Sequence, residues 1–207
     1  MIITDIRKTK KGRNSIYADG KYLLSIDDET LVKSKLKIGS TIDESIISDI
    51  SIKSNLFQAK DKAFRLISNR IHSKKELKEK IMRKFDENSA EITVNKMEEL
   101  GLVDDEQFAR LYLKELLERK KLSINRAKYE LSRKGISKEI IEDILSLQED
   151  REKDKIIELL KTKYKGKFDD EKGKRRTISA LQRLGYSWRD IKSALLECGE
   201  NLIEDDI

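Results

Sequence analysis

The chain has 207 residues, of which 41% are charged and 37% hydrophobic, and its formal net charge is +6. So low a hydrophobic fraction predicts a body with much surface and no single large core. A lone cysteine, Cys198, excludes an internal disulfide and fits a reducing cytosol. The first residues lack a signal-peptide pattern, and no apolar run approaches the ~20 residues that span a bilayer. We therefore expect a cytoplasmic protein with no membrane partner.

A small β-rich module is predicted at the N-terminus. Closely spaced isoleucines begin a strand, and the pair Asp19-Gly20 separates two β-prone runs at 15–18 and 21–26. An Asp-Gly pair in this setting is a strong hairpin signal, because both turn positions need positive φ. A short helix is predicted over 28–35.

From about residue 43 onward the periodicity predicts nine helices, grouped in threes. Gly101, Gly135 and Gly185 each stand between a helix end and a new helix start, and the last two lie fifty residues apart. Glycine at a helix end followed by a capping side chain is typical of such boundaries. Regular spacing of this kind indicates stacked helical repeats with a binding surface. The expected fold is therefore mainly α, an elongated stack of tandem three-helix repeats after the β-hairpin module. The predicted segments are the N-terminal module 1–50, three-helix repeats at 51–101 and 102–148, and a third repeat with an acidic tail at 149–207.

The modest net charge hides basic and acidic segments. Residues 60–84 hold ten basic and three acidic side chains, and residues 110–134 hold nine and three. Residues 86–106 hold one basic and eight acidic side chains, whereas residues 151–192 hold fourteen and seven. Basic segments of this size can neutralise phosphates, and they can equally be solvated helix faces.

The basic side chains are the only strong candidates for function. We expect Arg110, Lys114 and Lys121 to lie opposite the apolar stripe of their helix. Arg126 and Arg133 are expected to share a face of the next helix with Glu130 between them, and the remaining candidates crowd the penultimate helix. Such a row of cations can meet an acidic protein surface or a phosphate backbone. For each residue alone, a solvated surface position is the alternative. The candidates for binding a partner or DNA are Arg110, Lys114, Lys121, Arg126, Arg133, Lys174, Arg175, Arg176 and Arg183.

Patterns that suggest catalysis or metal binding have plainer explanations. The sequence has no P-loop, and one histidine with one cysteine cannot build a typical zinc centre, so we expect no catalytic residue, metal or cofactor. The run from Asp104 to Glu106 is read as helix capping, with a magnesium site as the alternative. The nuclease-like Glu76-Leu77-Lys78 is expected within a helix, where that motif does not function.

Three further residues, His72, Trp188 and Cys198, are assigned expected positions in the fold. His72 precedes a helix cap and is expected in a surface loop. Trp188 and Cys198 fall on the apolar stripe of the last helix, which favours core packing. For Trp188 the alternative is a partner anchor, and for Cys198 it is a reactive thiol.

Four ordered motifs in this sequence resemble the RecX family of regulators of the bacterial RecA recombinase. They are Ser73-Lys74-Lys75-Glu76-Leu77, Gly101-Leu102-Val103-Asp104-Asp105-Glu106-Gln107-Phe108-Ala109, Glu130-Leu131-Ser132-Arg133-Lys134-Gly135-Ile136 and Leu181-Gln182-Arg183-Leu184-Gly185-Tyr186-Ser187. The sequence departs from the family's pattern at two places. Leu184 stands where a second arginine is common, and Lys120-Lys121-Leu122-Ser123 lacks a glycine often found there.

The resemblance implies that the stack of three-helix repeats is curved. It implies a non-enzymatic regulator that binds the groove of a RecA–DNA filament and inhibits its ATP hydrolysis and strand exchange. It also implies a role in homologous recombination, DNA repair and the SOS response, with single- or double-stranded DNA as a further partner and a monomer as the expected state. Two alternatives stay open on the residues alone. One is an autonomous nucleic-acid-binding helical-repeat protein, and the other is a scaffold for other proteins.

Overall fold

The computed structural model describes residues 1–10, 12–148, 151–167 and 170–199. The predicted acidic tail beyond residue 199 lies outside them. Two units of the chain each pack on themselves, Met1–Asp104 and Asp105–Ile207.

An antiparallel sheet of three strands opens the first unit. Strands β1 (Ile3–Lys8), β2 (Asn14–Ala18) and β3 (Lys21–Ile26) are ordered β1-β2-β3. Asp19 and Gly20 join β2 to β3 with φ of 49° and 76°. Positive φ at both central residues is the geometry of a type I′ turn, so the predicted hairpin is confirmed.

Ten α-helices follow the sheet within the described residues, and they confirm the mainly helical fold. Those of the first unit are α1 (Asp28–Ser34), α2 (Glu44–Asn69), α3 (Lys74–Met82) and α4 (Glu87–Glu99). Those of the second unit are α5 (Asp105–Lys114), which a π-helical turn extends over Glu115–Arg119, α6 (Ile124–Arg133), α7 (Lys138–Ser146), α8 (Glu152–Lys161), α9 (Glu171–Arg183) and α10 (Trp188–Glu197). None of the described helices combines the length and apolarity needed to cross a bilayer.

Local capping chemistry sets several of these helix boundaries. The hydroxyls of Ser73, Ser137 and Ser187 each accept a hydrogen bond from the backbone N–H three residues ahead, at the starts of α3, α7 and α10. Capping bonds of this kind contribute about 1 kcal/mol each. The predicted helix starts at these serines are confirmed. Capping of α5 by Asp104 stays a prediction, although α5 begins at the next residue.

Across the described part of the chain, four small apolar clusters form the core, two in each unit. In the first unit, one cluster joins the sheet to the start of α2, and another joins the end of α2 to α3 and α4. Helix α2 is continuous through residue 50 and contributes Ile50 to the first cluster and Ala63 to the second. In the second unit, one cluster lies between α5 and α7, and the other lies within α8–α10. Trp188 and Cys198 pack against the latter, as their position on the stripe predicts.

The expectation that His72 lies on a surface loop is wrong. Its side chain is buried, because the loop between α2 and α3 turns the imidazole inward. Its Nδ1 lies 2.8 Å from the carbonyl oxygen of Arg70, and its Nε2 lies 2.7 Å from Nζ of Lys80. An ammonium can only donate, so Nε2 accepts and the proton is on Nδ1. The ring is therefore neutral and holds one tautomer.

Lowering the pH is expected to destabilise the protein through His72. Burial, with the Arg70 charge next, lowers the pKa of His72 below its ordinary 6.5. The unfolded chain therefore binds this proton first, and the free energy of unfolding falls as the pH drops through 6.5 toward the folded-state pKa. The slope is at most about 1.4 kcal/mol per pH unit.

The measurement is urea unfolding of the full chain between pH 7.5 and pH 5.5. The chain has one histidine, so His72→Gln is a clean control and is expected to flatten the dependence in this window. An unchanged slope in His72→Gln would assign the dependence to other groups.

Candidate functional site

An exposed aromatic ring on α6 lies between two arginines. The guanidinium carbons of Arg126 and Arg133 lie 5.1 Å and 5.8 Å from the ring centroid of Tyr129, which is 54% exposed. Glu130 lies between the arginines and pairs with both, at 2.9 Å from Arg126 and 3.3 Å from Arg133. We call these four residues the α6 face. Its carboxylate orients both guanidinium groups while each keeps solvent-exposed surface.

The α6 face has the composition of an interaction site. Exposed tyrosine and arginine are the residue types that contribute most to binding at protein interfaces, and arginine clamps carboxylates or phosphates in a bidentate manner. Arg126 and Arg133 were expected to share a face with Glu130 between them, and the described contacts agree with that arrangement. Tyr129 was missed, although its spacing of three residues from Arg126 and four from Arg133 is visible in the sequence.

A groove of about 480 Å³ brings together three of the predicted residues, Arg110, Lys114 and Lys121. Apolar side chains, among them Leu113 and Leu117, line part of it. Arg110 is not a lone cation, because its guanidinium lies 2.6 Å from Glu106 and 3.8 Å from Asp143. The lining of the groove therefore combines cations, acids and apolar side chains.

Lys121 was expected opposite the apolar stripe of its helix, and this is wrong. It follows the π-helical turn, in the loop before α6, with a left-handed φ of 54°. This segment is where the sequence lacks the glycine that such a conformation favours, so Lys121 bears a modest backbone cost. Its Nζ compensates by pairing with Glu158 at 3.0 Å.

Helix α9 carries the remaining predicted cations. Arg175, Arg176 and Arg183 line a shallow cavity of about 630 Å³, and Arg175 pairs with Glu171 at 2.8 Å. Lys174 is half-buried and does not line this cavity. The predicted site residues of the second unit thus fall on the α6 face, in the groove beside α5 and on α9. Whether they act together on one partner stays a prediction.

The end of α9 docks against the start of α6 through backbone groups. The N–H of Ser123 donates to the carbonyl oxygen of Leu184 at 3.0 Å. The Tyr186 hydroxyl donates to the carbonyl oxygen of Lys121 at 3.0 Å, and the Ile124 N–H donates to a carboxylate oxygen of Glu152 at 3.1 Å. Burial, with the nearby carboxylates, raises the pKa of Tyr186, so its hydroxyl stays a donor. We call this contact the α6–α9 junction.

Gly185 makes the α6–α9 junction possible. Its φ is +95°, and a Cβ built there would lie 2.5 Å from Cβ of Arg126 and from Oγ of Ser123. The glycine in the Leu184-Gly185-Tyr186 motif therefore ends α9 and also lets α9 approach α6. Arg126, at the edge of the α6 face, is positioned by this close contact.

The structure also describes the surroundings of the magnesium-site and nuclease alternatives. Within the described ranges, no group of three or more histidine, cysteine or acidic side chains could hold a metal ion. Glu76 and Lys78 lie on α3, where Glu76 pairs with Arg70 at 3.0 Å and Lys78 pairs with Glu87 at 3.0 Å. The nuclease-like triplet is thus part of a helix, as the sequence indicates, and both of its charged side chains are engaged in ion pairs.

A small N-terminal sheet followed by capped helices, several of which carry exposed cations, defines a helix-rich protein of mainly α class. The chain belongs to the RecX family of regulatory proteins. Residues 1–43 match the family model "Regulatory protein RecX N-terminal domain", and residues 104–145 match "RecX, second three-helix domain".

Relatives that carry the name Regulatory protein RecX are similar over most of their length. The one from Clostridium tetani is 30% identical over 197 residues, which cover 92% of this chain and 90% of that protein. The one from Clostridioides difficile is 32% identical over 199 residues, or 94% of each.

Two solved structures share the fold. A crystal structure of regulatory protein RecX has a TM-score of 0.64 at 22% identity and covers 93% of this chain and 98% of that one. The crystal structure of RecX from Lactobacillus salivarius has a TM-score of 0.56 at 23% identity and covers 70% of this chain and 97% of that one.

Proposed function

We propose that the protein binds the groove of a RecA-type recombinase filament on DNA and inhibits its ATP hydrolysis and strand exchange. The family membership supports a regulatory role, and the resemblance of the motifs points to the recombinase as the partner. The observation that carries the proposal is the α6 face, where Glu130 orients Arg126 and Arg133 on either side of Tyr129. A filament groove exposes both protein carboxylates and phosphates, and guanidinium groups bind both.

A regulator of this kind acts by binding and does not need to catalyse a reaction. Binding across neighbouring recombinase subunits would hold them in one arrangement and oppose the movements that accompany nucleotide turnover. A ligand shifts such an equilibrium only by its difference in affinity between the two states. The α6–α9 junction supports this role, because hydrogen bonds to backbone carbonyl groups hold two helices of the second unit at a defined distance.

Single-stranded-DNA-dependent ATP hydrolysis by a RecA-type recombinase tests the proposal. We expect the protein to reduce the rate at substoichiometric ratios, and to hydrolyse neither ATP nor DNA when assayed alone. The control is the protein with DNA and no recombinase, titrated at several salt concentrations. An autonomous nucleic-acid binder would bind DNA with a steep salt dependence and reduce hydrolysis only at ratios that cover the DNA. Full hydrolysis at equimolar protein would contradict the proposal.

A further inference from the structure

A second group of cations lies in the first unit, apart from all the residues predicted to bind a partner. Lys62 on α2 reaches the end of α3, where its ammonium donates to the carbonyl oxygen of Lys80 at 2.5 Å. The ammonium groups of Lys62 and Lys84 lie 5.9 Å and 5.5 Å from the centroid of the same ring, Phe85. Arg83 lies next to Lys84, directly after α3. Two helices and one aromatic ring thus gather three cations.

Within the described residues this group lacks acidic partners, whereas several other cations of the unit have them. Arg65 pairs with Asp61, and Lys33 pairs with Glu29, each one helical turn away. Among the described residues, by contrast, Arg83 and Lys84 have no ion pair with any carboxylate. Asp86, the nearest acid along the chain, caps α4 instead. Its carboxylate accepts hydrogen bonds from the backbone N–H and the hydroxyl of Ser89, both at 2.8 Å.

The charges of Lys84 and Arg83 act on the ammonium of Lys62. The pKa of Lys62 is lowered by its partial burial and then by the charges of Lys84 and Arg83. Positive groups that repel each other across a gap gain most from an anion placed between them. Lys62 also has two further N–H groups beyond the one that bonds to Lys80, because an ammonium has three donors.

We propose that Lys62, Arg83 and Lys84 form a phosphate-binding site in the first unit that takes the backbone of a single-stranded nucleic acid. A phosphodiester carries one negative charge per nucleotide, so consecutive nucleotides match cations that are spread along a short surface. Lys62 is held by Lys80 and Phe85, and Arg83 and Lys84 are exposed, with the Lys84 ammonium beside the same ring. The site needs no recombinase, so it is tested separately from the function proposed above.

The test is fluorescence anisotropy of a labelled dT20 oligonucleotide with the full chain between 50 and 200 mM salt. Arg83→Gln/Lys84→Gln removes two phosphate contacts, so the slope of log K against log salt is expected to fall by about 1.4. Between these salt concentrations the wild-type affinity then decreases about sevenfold more than that of the variant. Unchanged melting by circular dichroism establishes that the variant is folded.

Lys33→Gln/Arg65→Gln is the matched control, because it removes the same charge from the same unit at two cations that have acidic partners. Its slope is expected to stay close to the wild-type value. An equal loss of slope in both variants would show that binding follows net charge, and an unchanged slope in Arg83→Gln/Lys84→Gln would show that the site makes no contact. Saturable binding of dTMP that the variant loses, with the oligonucleotide slope intact, would assign the site to free phosphate monoesters and overturn the proposal.

Discussion

Gly185→Ala is expected to destabilise the second unit by about 3 kcal/mol. Two effects add at this position. An alanine at positive φ costs about 1–2 kcal/mol. The added methyl group would also lie 2.5 Å from Cβ of Arg126 and from Oγ of Ser123, an overlap that α9 can relieve only by moving away from α6. Overpacking of this kind typically costs 1–3 kcal/mol, and the movement would strain the hydrogen bond from Ser123 to Leu184.

Gly199→Ala is the matched control for this prediction. Gly199 follows α10 with φ of +77°, as Gly185 follows α9, but a Cβ at Gly199 would have no neighbour within 4 Å among the residues that the structure describes. Its substitution therefore tests the cost of backbone conformation alone. Trp188, the one tryptophan in the chain, packs in the second unit, so its fluorescence in a urea titration reports on that unit for both variants. Equal costs for the two substitutions would show that the α6–α9 junction adjusts to a methyl group without penalty.

Arg126→Glu/Arg133→Glu is expected to weaken inhibition of recombinase ATP hydrolysis at least tenfold. The α6 face would change from two guanidinium groups around Tyr129 to three adjacent carboxylates, which repel both acidic protein surfaces and phosphates. Truncating one partner of an interfacial charge pair costs 2–5 kcal/mol, and 1.4 kcal/mol is a factor of ten in affinity. The measurement is a titration of hydrolysis at moderate salt, read as the protein concentration that gives half-inhibition.

The structure changes the expected stability of this variant. On the sequence alone, reversing exposed arginines is expected to alter stability by less than about 0.5 kcal/mol. The Glu130 side chain is only 15% exposed, however, and both of its cationic partners would become like charges. We therefore expect a loss of about 1–2 kcal/mol, from two partly exposed ion pairs and the new repulsion. Assays must then be run well below the melting temperature of the variant.

Lys128→Glu separates contact from net charge. Lys128 is exposed on α6 and lies on the flank of the helix opposite the α6 face, so its reversal changes the charge of the same helix without touching Tyr129. Inhibition by Lys128→Glu is expected to stay within about twofold of wild type. If Arg126→Glu/Arg133→Glu inhibits as well as Lys128→Glu does, the α6 face is a solvated surface and the contact must be sought on other helices.

Local features of the molecule were determined by the sequence alone. The Asp19-Gly20 hairpin, the serine caps of α3, α7 and α10, and the glycines that end helices all depend on residues within about four positions of one another. Hydrogen bonds over so short a span form in the same way whatever packs around them. The order of helices and the family resemblance follow from such features, because they recur in a definite sequence along the chain.

Only the tertiary structure decided which side chains have which neighbours. His72 reads as a loop residue, yet it is buried between Arg70 and Lys80 because α2 and α3 pack around it. Gly185 reads as a helix end, yet its lack of a side chain also admits α6, some sixty residues earlier in the chain. Burial and ion pairing depend on groups brought together from distant positions, and spacing along one helix does not encode that distance. For the same reason a count of basic residues could not distinguish the paired Arg65 from the unpaired Arg83.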